Sequence, residues 1–158
     1  VIRRFELWFL SLATLAAGLT GLLLFYMKEW LEPVDPFSAV NHPWQPLVLK
    51  AHLVAVPLLV FAVGLIFSSH AAERYRSGHR TGRWSGTGLM ILFAPLVLSG
   101  VGVQILTDEA WQRGAVWLHL ATGAGYLLLF LVHRLCRWSP AARLRRPLVR
   151  LSSRRTGP

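Results

Sequence analysis

Two stretches decide how this chain is read: Lys50 to His70, KAHLVAVPLLVFAVGLIFSSH, and Val116 to Arg134, VWLHLATGAGYLLLFLVHR. Each is apolar over about the 20 residues that a bilayer-spanning helix needs. Each also carries a histidine near both of its ends: His52 and His70 in the first, His119 and His133 in the second. A polar, ionisable ring at membrane depth is costly and marks a functional position. At about 100° per residue, an 18-residue step closes five whole turns, so His52 and His70 share one helix face. A 14-residue step falls about 40° short of four turns, so His119 and His133 share a face as well. The corresponding rises are roughly 27 Å and 21 Å.

Two more apolar stretches flank these, Phe5 to Met27 and Gly88 to Leu106. Spans are expected at about residues 5–27, 47–70, 88–106 and 116–136. With short connections between them, neighbouring helices should run antiparallel. The expected fold is therefore an all-α membrane protein, a four-helix up-down bundle over residues 1–138, followed by an Arg-rich tail over residues 139–158. Composition agrees: 54% of the 158 residues are hydrophobic and 15% charged, too apolar for a soluble domain of this size. The first span is longer than a signal-peptide core of about 7–15 residues and ends without an A-x-A site, so it reads as a retained helix.

Three of the 17 Lys and Arg residues (Lys28, Lys50 and Arg113) lie on one side of the expected spans, beside Glu29, Glu32, Asp35, Asp108 and Glu109. All the others lie on the opposite side: before the first span, between the second and third, and around or after the fourth. The positive-inside rule then places both termini and the Arg-rich loop in the cytoplasm. It also accounts for the net charge of +10 without nucleic acid, with the tail lying near anionic lipid headgroups. The single cysteine, Cys136, excludes an internal disulfide, and no C-x-x-C-H motif for covalent haem is present.

Spans two and four run in the same direction, which puts His52 and His119 near the outer end and His70 and His133 near the inner end. Each end can offer one imidazole from each helix. Two neutral imidazoles are the preferred axial pair where haem iron only shuttles electrons. The expectation is two non-covalent b-type haems with bis-histidine ligation, an outer one on His52 and His119 and an inner one on His70 and His133. Each ligating ring needs its other nitrogen fixed, with Ser68, Ser69 or Thr122 as candidates. Gly18, Gly21, Gly64, Gly100, Gly102, Gly123 and Gly125 would admit a flat porphyrin, or equally serve close helix packing.

On these residues the chain resembles the bacterial di-haem cytochrome b proteins. These include the four-helix cores that anchor hydrogenases and formate dehydrogenases, and the haem-bearing half of the cytochrome b of quinol–cytochrome c oxidoreductases. The resemblance runs from Phe5 to Arg137 and rests on H-x17-H (His52, His70) and H-x13-H (His119, His133). The local texts are KAHLVAVPLL, FSSHAAERY, WLHLATGAGY and FLVHRL. The first span has no histidine, unlike the hydrogenase-anchor branch. The resemblance implies a subunit in the bacterial inner membrane that carries electrons between the quinone pool and an oxidoreductase or cytochrome partner.

Lys50, Arg74 and Arg134 stand near the histidines and could pair with haem propionates, or serve as topology residues that snorkel to the interface. His42, Asp108 and Glu109 could take protons from a quinol, with Gln104 lining a pocket, but solvated loop roles suit them better. His79 reads as exposed. The seven tryptophans near span ends read as an aromatic belt. Two other functions remain open: a transmembrane reductase core fed by a cytoplasmic flavoprotein, and a haem-free four-helix metal transporter or scaffold.

Overall fold

The computed structural model describes residues 4–33, 35, 37–38, 40–67 and 83–138. Among them there are four long helices and no strand: α1 (Arg4–Glu29), α2 (Gln45–Ile66), α3 (Arg83–Ile105) and α4 (Glu109–Trp138). All four are long and apolar enough to cross a bilayer. The expected extension of the second span to residue 70 lies outside the described residues, as do Ser68, Ser69, His70, Arg74, His79 and the Arg-rich tail.

The chain divides into two compact units, Val1–His79 and Arg80–Pro158, holding one helical hairpin each. In the first, α1 packs on α2. The buried positions of α1 are mostly small (Ala13, Thr14 and Ala17), and those of α2 include Ala55, Leu59, Ala62 and Val63. Small side chains let helix backbones approach where lipid supplies no hydrophobic drive to pack. Phe9 meets Phe61 edge-on with ring centroids 6.1 Å apart, while Thr20 meets His52. Partners early on α1 lie late on α2, so the two helices are antiparallel.

The second hairpin, α3 on α4, shows its register in detail. Ser85 faces His133. A Cβ built on Gly88 would meet Leu129, one on Gly125 would meet Leu92, and one on Gly123 would meet Leu96. Gly100 faces His119, and Gly102 faces Ala115. As the numbers rise along α3 they fall along α4, again an antiparallel pair. Leu, Phe and Trp side chains line the outward faces of all four helices, a surface suited to lipid rather than to water. Pro57 and Pro95 lie within α2 and α3, which continue through them, as membrane helices tolerate.

Two helices reach well upstream of the apolar stretches that announce them. α4 begins at Glu109 because Asp108 Oδ1 accepts the N–H groups of Ala110 and Trp111, each at 3.1 Å. This is a side-chain N-cap. Glu109 then suits the positive end of the helix dipole and pairs with Arg113 one turn on. α3 is already helical at Arg83, five residues before the apolar run, and packs against α4 there through Ser85 and Gly88. The α1–α2 linker is clipped by Asn41. Its Nδ2 donates to the carbonyls of Lys28 (3.0 Å) and Leu31 (2.7 Å), and its N–H donates to Gln45 Oε1 (3.0 Å). A carbonyl left over at the end of α1 is satisfied in this way.

Candidate functional site

Three of the four sequence-predicted histidines fall in described residues, and each has Nδ1 against the neighbouring helix of its own hairpin. His52, half-buried on α2, has Nδ1 3.0 Å from Thr20 Oγ1 on α1. A hydroxyl carries one proton, and that of Thr20 is donated to the Ala16 carbonyl at 2.6 Å. The same hydroxyl meets Nδ1, and the direction of that hydrogen bond follows the tautomer of the ring.

His119, half-buried on α4, has Nδ1 3.0 Å from the Leu96 carbonyl and 3.4 Å from Ser99 Oγ, both on α3. A carbonyl only accepts, so Nδ1 carries the proton. Ser99 Oγ also donates to the Pro95 carbonyl at 2.6 Å. His133 has Nδ1 2.7 Å from Ser85 Oγ. The serines on α3 and the histidines on α4 thus repeat with the same 14-residue step.

Two glycines bring these rings close to backbone. A Cβ on Gly21 would lie 3.1 Å from His52 Cε1, and one on Gly100 would lie 3.0 Å from His119 Cε1. Each glycine directly follows the hydroxyl residue that touches the same ring (Thr20-Gly21 and Ser99-Gly100). Both hairpins therefore use one device: a hydroxyl and a glycine on one helix, and a histidine on the next.

The other candidates divide. Lys50 is exposed two residues before His52, and Arg134 is half-buried beside His133. Thr122 does not orient His119: its hydroxyl is given to the Leu118 carbonyl of its own helix at 2.7 Å. Ser99 and the Leu96 carbonyl take that place. Gly64 has nothing within 4 Å of an added Cβ, whereas Gly102, Gly123 and Gly125 serve helix packing. His42 accepts the Trp44 N–H at Nδ1, 3.1 Å, and so shapes the entry to α2. An open depression at the start of α4 is lined by Asp108, Glu109, Ala110, Arg113, Gly114 and Trp117, without Gln104. Trp8, Trp30, Trp44, Trp84, Trp111 and Trp117 are all exposed.

The sequence reading missed Thr20, Ser85 and Ser99. The available signal was the S-x13-S step of Ser85 and Ser99, which copies the H-x13-H step of the following helix. The chain matches no protein family, no curated protein and no solved structure.

Proposed function

We propose that this chain is a membrane-embedded di-haem cytochrome b subunit that moves electrons across a bacterial inner membrane, with both termini in the cytoplasm. In this reading His52 and His119 are the axial ligands of an outer haem b, and His70 and His133 those of an inner one. The observation that carries it is the setting of the rings. His119 and His133, one step of 14 residues apart, are each held at Nδ1 by α3, and His52 is held likewise by α1.

The residues fit the group. Ligation of haem iron uses one imidazole nitrogen, and a hydrogen bond from the other fixes the tautomer and raises the ligand's basicity. At His119 the Leu96 carbonyl places the proton on Nδ1, so Nε2 is the nitrogen that would ligate iron, and the Nδ1 contact of His52 with Thr20 is compatible with the same arrangement. Bound there, bis-histidine haem would supply one-electron transfer with both axial positions filled. The chain's own residues orient the rings and, at Gly21 and Gly100, let them lie against helix backbone. Lys50, Arg74 and Arg134 are the proposed cationic partners of the propionates.

The proposed partners are membrane lipids, the quinone pool and an oxidoreductase or cytochrome subunit that supplies the catalytic chemistry. A reduced-minus-oxidised visible spectrum of the purified protein, with haem counted per polypeptide, tests the reading. Two b-type haems per chain are expected, falling to one in His52→Ala, His119→Ala, His70→Ala or His133→Ala. A folded preparation without a haem spectrum would sink it and leave the transporter or scaffold in its place. If haem is present but a quinone-site inhibitor leaves its reduction unchanged, the flavoprotein-fed reductase core takes precedence.

A further inference from the structure

The segment between α1 and α2 takes no part in the proposed haem sites, yet it is bonded to itself throughout. Its base is closed: Asn41 Nδ2 donates to the carbonyls of Lys28 and Leu31, and the Asn41 N–H to Gln45 Oε1. Its far side is turned by Asp35, whose Oδ1 accepts the Phe37 N–H at 3.0 Å and whose carbonyl accepts the Ser38 N–H at 2.9 Å. Ser38 braces the return, since its Oγ accepts the Val40 N–H at 3.1 Å and donates to the Val40 carbonyl at 3.0 Å. Ends drawn together around an internally bonded tip are the marks of an Ω-loop. At the turn stands Phe37, which is 97% exposed.

We propose that this loop is a membrane-interface anchor, with Phe37 seated among lipid acyl chains beside the end of the first hairpin. Position argues for lipid. α1 has 26 residues and is about 39 Å long, whereas the hydrocarbon core of a bilayer is about 30 Å thick. Its last turn, which carries Lys28 and Glu29, therefore stands at headgroup level, and Asn41 is bonded to it. Phe37 is four residues from Asn41, so its Cα lies within about 14 Å of that level. The loop also continues the apolar outward surface of its hairpin. Tyr26 and Trp30 pair at the end of α1 with ring centroids 6.3 Å apart, and Trp44 marks the entry to α2. All three are exposed, as suits aromatic side chains at a membrane–water boundary. From Glu29 to Leu49 the chain has no Lys or Arg, so the ring and not a cation makes the contact, and a zwitterionic lipid surface suffices. The closed base leaves the loop little freedom to lose when the ring enters lipid. Anchoring of this kind needs neither haem nor a particular orientation of the chain.

The test uses the full-length protein in nanodiscs of phosphatidylcholine, with its phenylalanine rings 13C-labelled and the Phe37 signal assigned by its loss in Phe37→Leu. Two paramagnetic probes report the surroundings of the ring: a nitroxide carried high on the lipid acyl chain, and a gadolinium chelate dissolved in the water. The Phe37 signal should be broadened several-fold more by the lipid nitroxide than by the chelate. Asn41→Ala, which opens the base of the loop, should shift that ratio toward the chelate. A Phe37 signal broadened chiefly by the chelate overturns the proposal and leaves the loop standing in water. A signal touched by neither probe overturns it too, because the ring is then covered by protein, either a second copy or a partner subunit. A ratio unchanged in Asn41→Ala overturns the part given to the closed base. The wild-type measurement decides the anchor itself whether or not that variant folds. Each broadening is read against the same preparation without probe, so haem content does not enter, and failure here leaves the haem reading untouched.

Discussion

Where a helix hydroxyl gives its single proton decides what its neighbour must do. Thr20 and Ser99 both bond back to carbonyls of their own helices, and each also meets a histidine ring on the neighbouring helix. Thr122 makes the same back-bond, to Leu118, but stands on the same helix as His119 rather than on the one that faces it. Nothing in a single residue's identity separates these cases, which is why Thr122 could be named from its nearness in sequence to His119 while Ser99 could not. Ser85 is the residue to test at this scale. Its 2.7 Å contact with His133 should contribute on the order of 1 kcal/mol. Ser85→Ala should therefore lower the melting temperature in detergent by a few degrees, and an unchanged melt would mean that the bond is not made in solution.

Within each helix, apolar length was legible, because hydropathy needs no knowledge of partners. The start of α4 was not, since Asp108 caps from outside the apolar run, and neither was the helical stretch of α3 before Gly88, which packs on α4 through Ser85. The histidine faces were legible from the 3.6-residue repeat. Which helix each face would meet, and at what height, depends on the antiparallel register, and a lone sequence carries that only as the matching 14-residue steps of α3 and α4. The glycines show the same limit. Gly100 and Gly114 look alike as letters, yet a methyl at Gly100 would press the His119 ring, and one at Gly114 would meet nothing within 4 Å. Gly100→Ala should destabilise by roughly 1–3 kcal/mol through overpacking. Gly114→Ala should be neutral or stabilise by up to about 1 kcal/mol through helix propensity. Equal thermal shifts for the two would contradict the packing described for α3 on α4.

Across the whole chain, arginine placement carries the proposed orientation, and labelling can read it. In a Cys136→Ser background, Asp35→Cys in intact cells should react with a membrane-impermeant maleimide, while Ser153→Cys should react only after the cells are opened. The reverse pattern would invert the topology and exchange the outer and inner histidine pairs. The back-bonded hydroxyls bear on a different property of the membrane. A proton wire advances by each hydroxyl passing one proton on as it receives another, and it needs the group to swing between neighbours. Thr20 and Ser99, held to carbonyls at 2.6 Å, are poor stepping stones of that kind. On the proposed reading, electrons would cross along the histidines while these positions stay closed to hydrogen ions, so the ion gradient would not be short-circuited there.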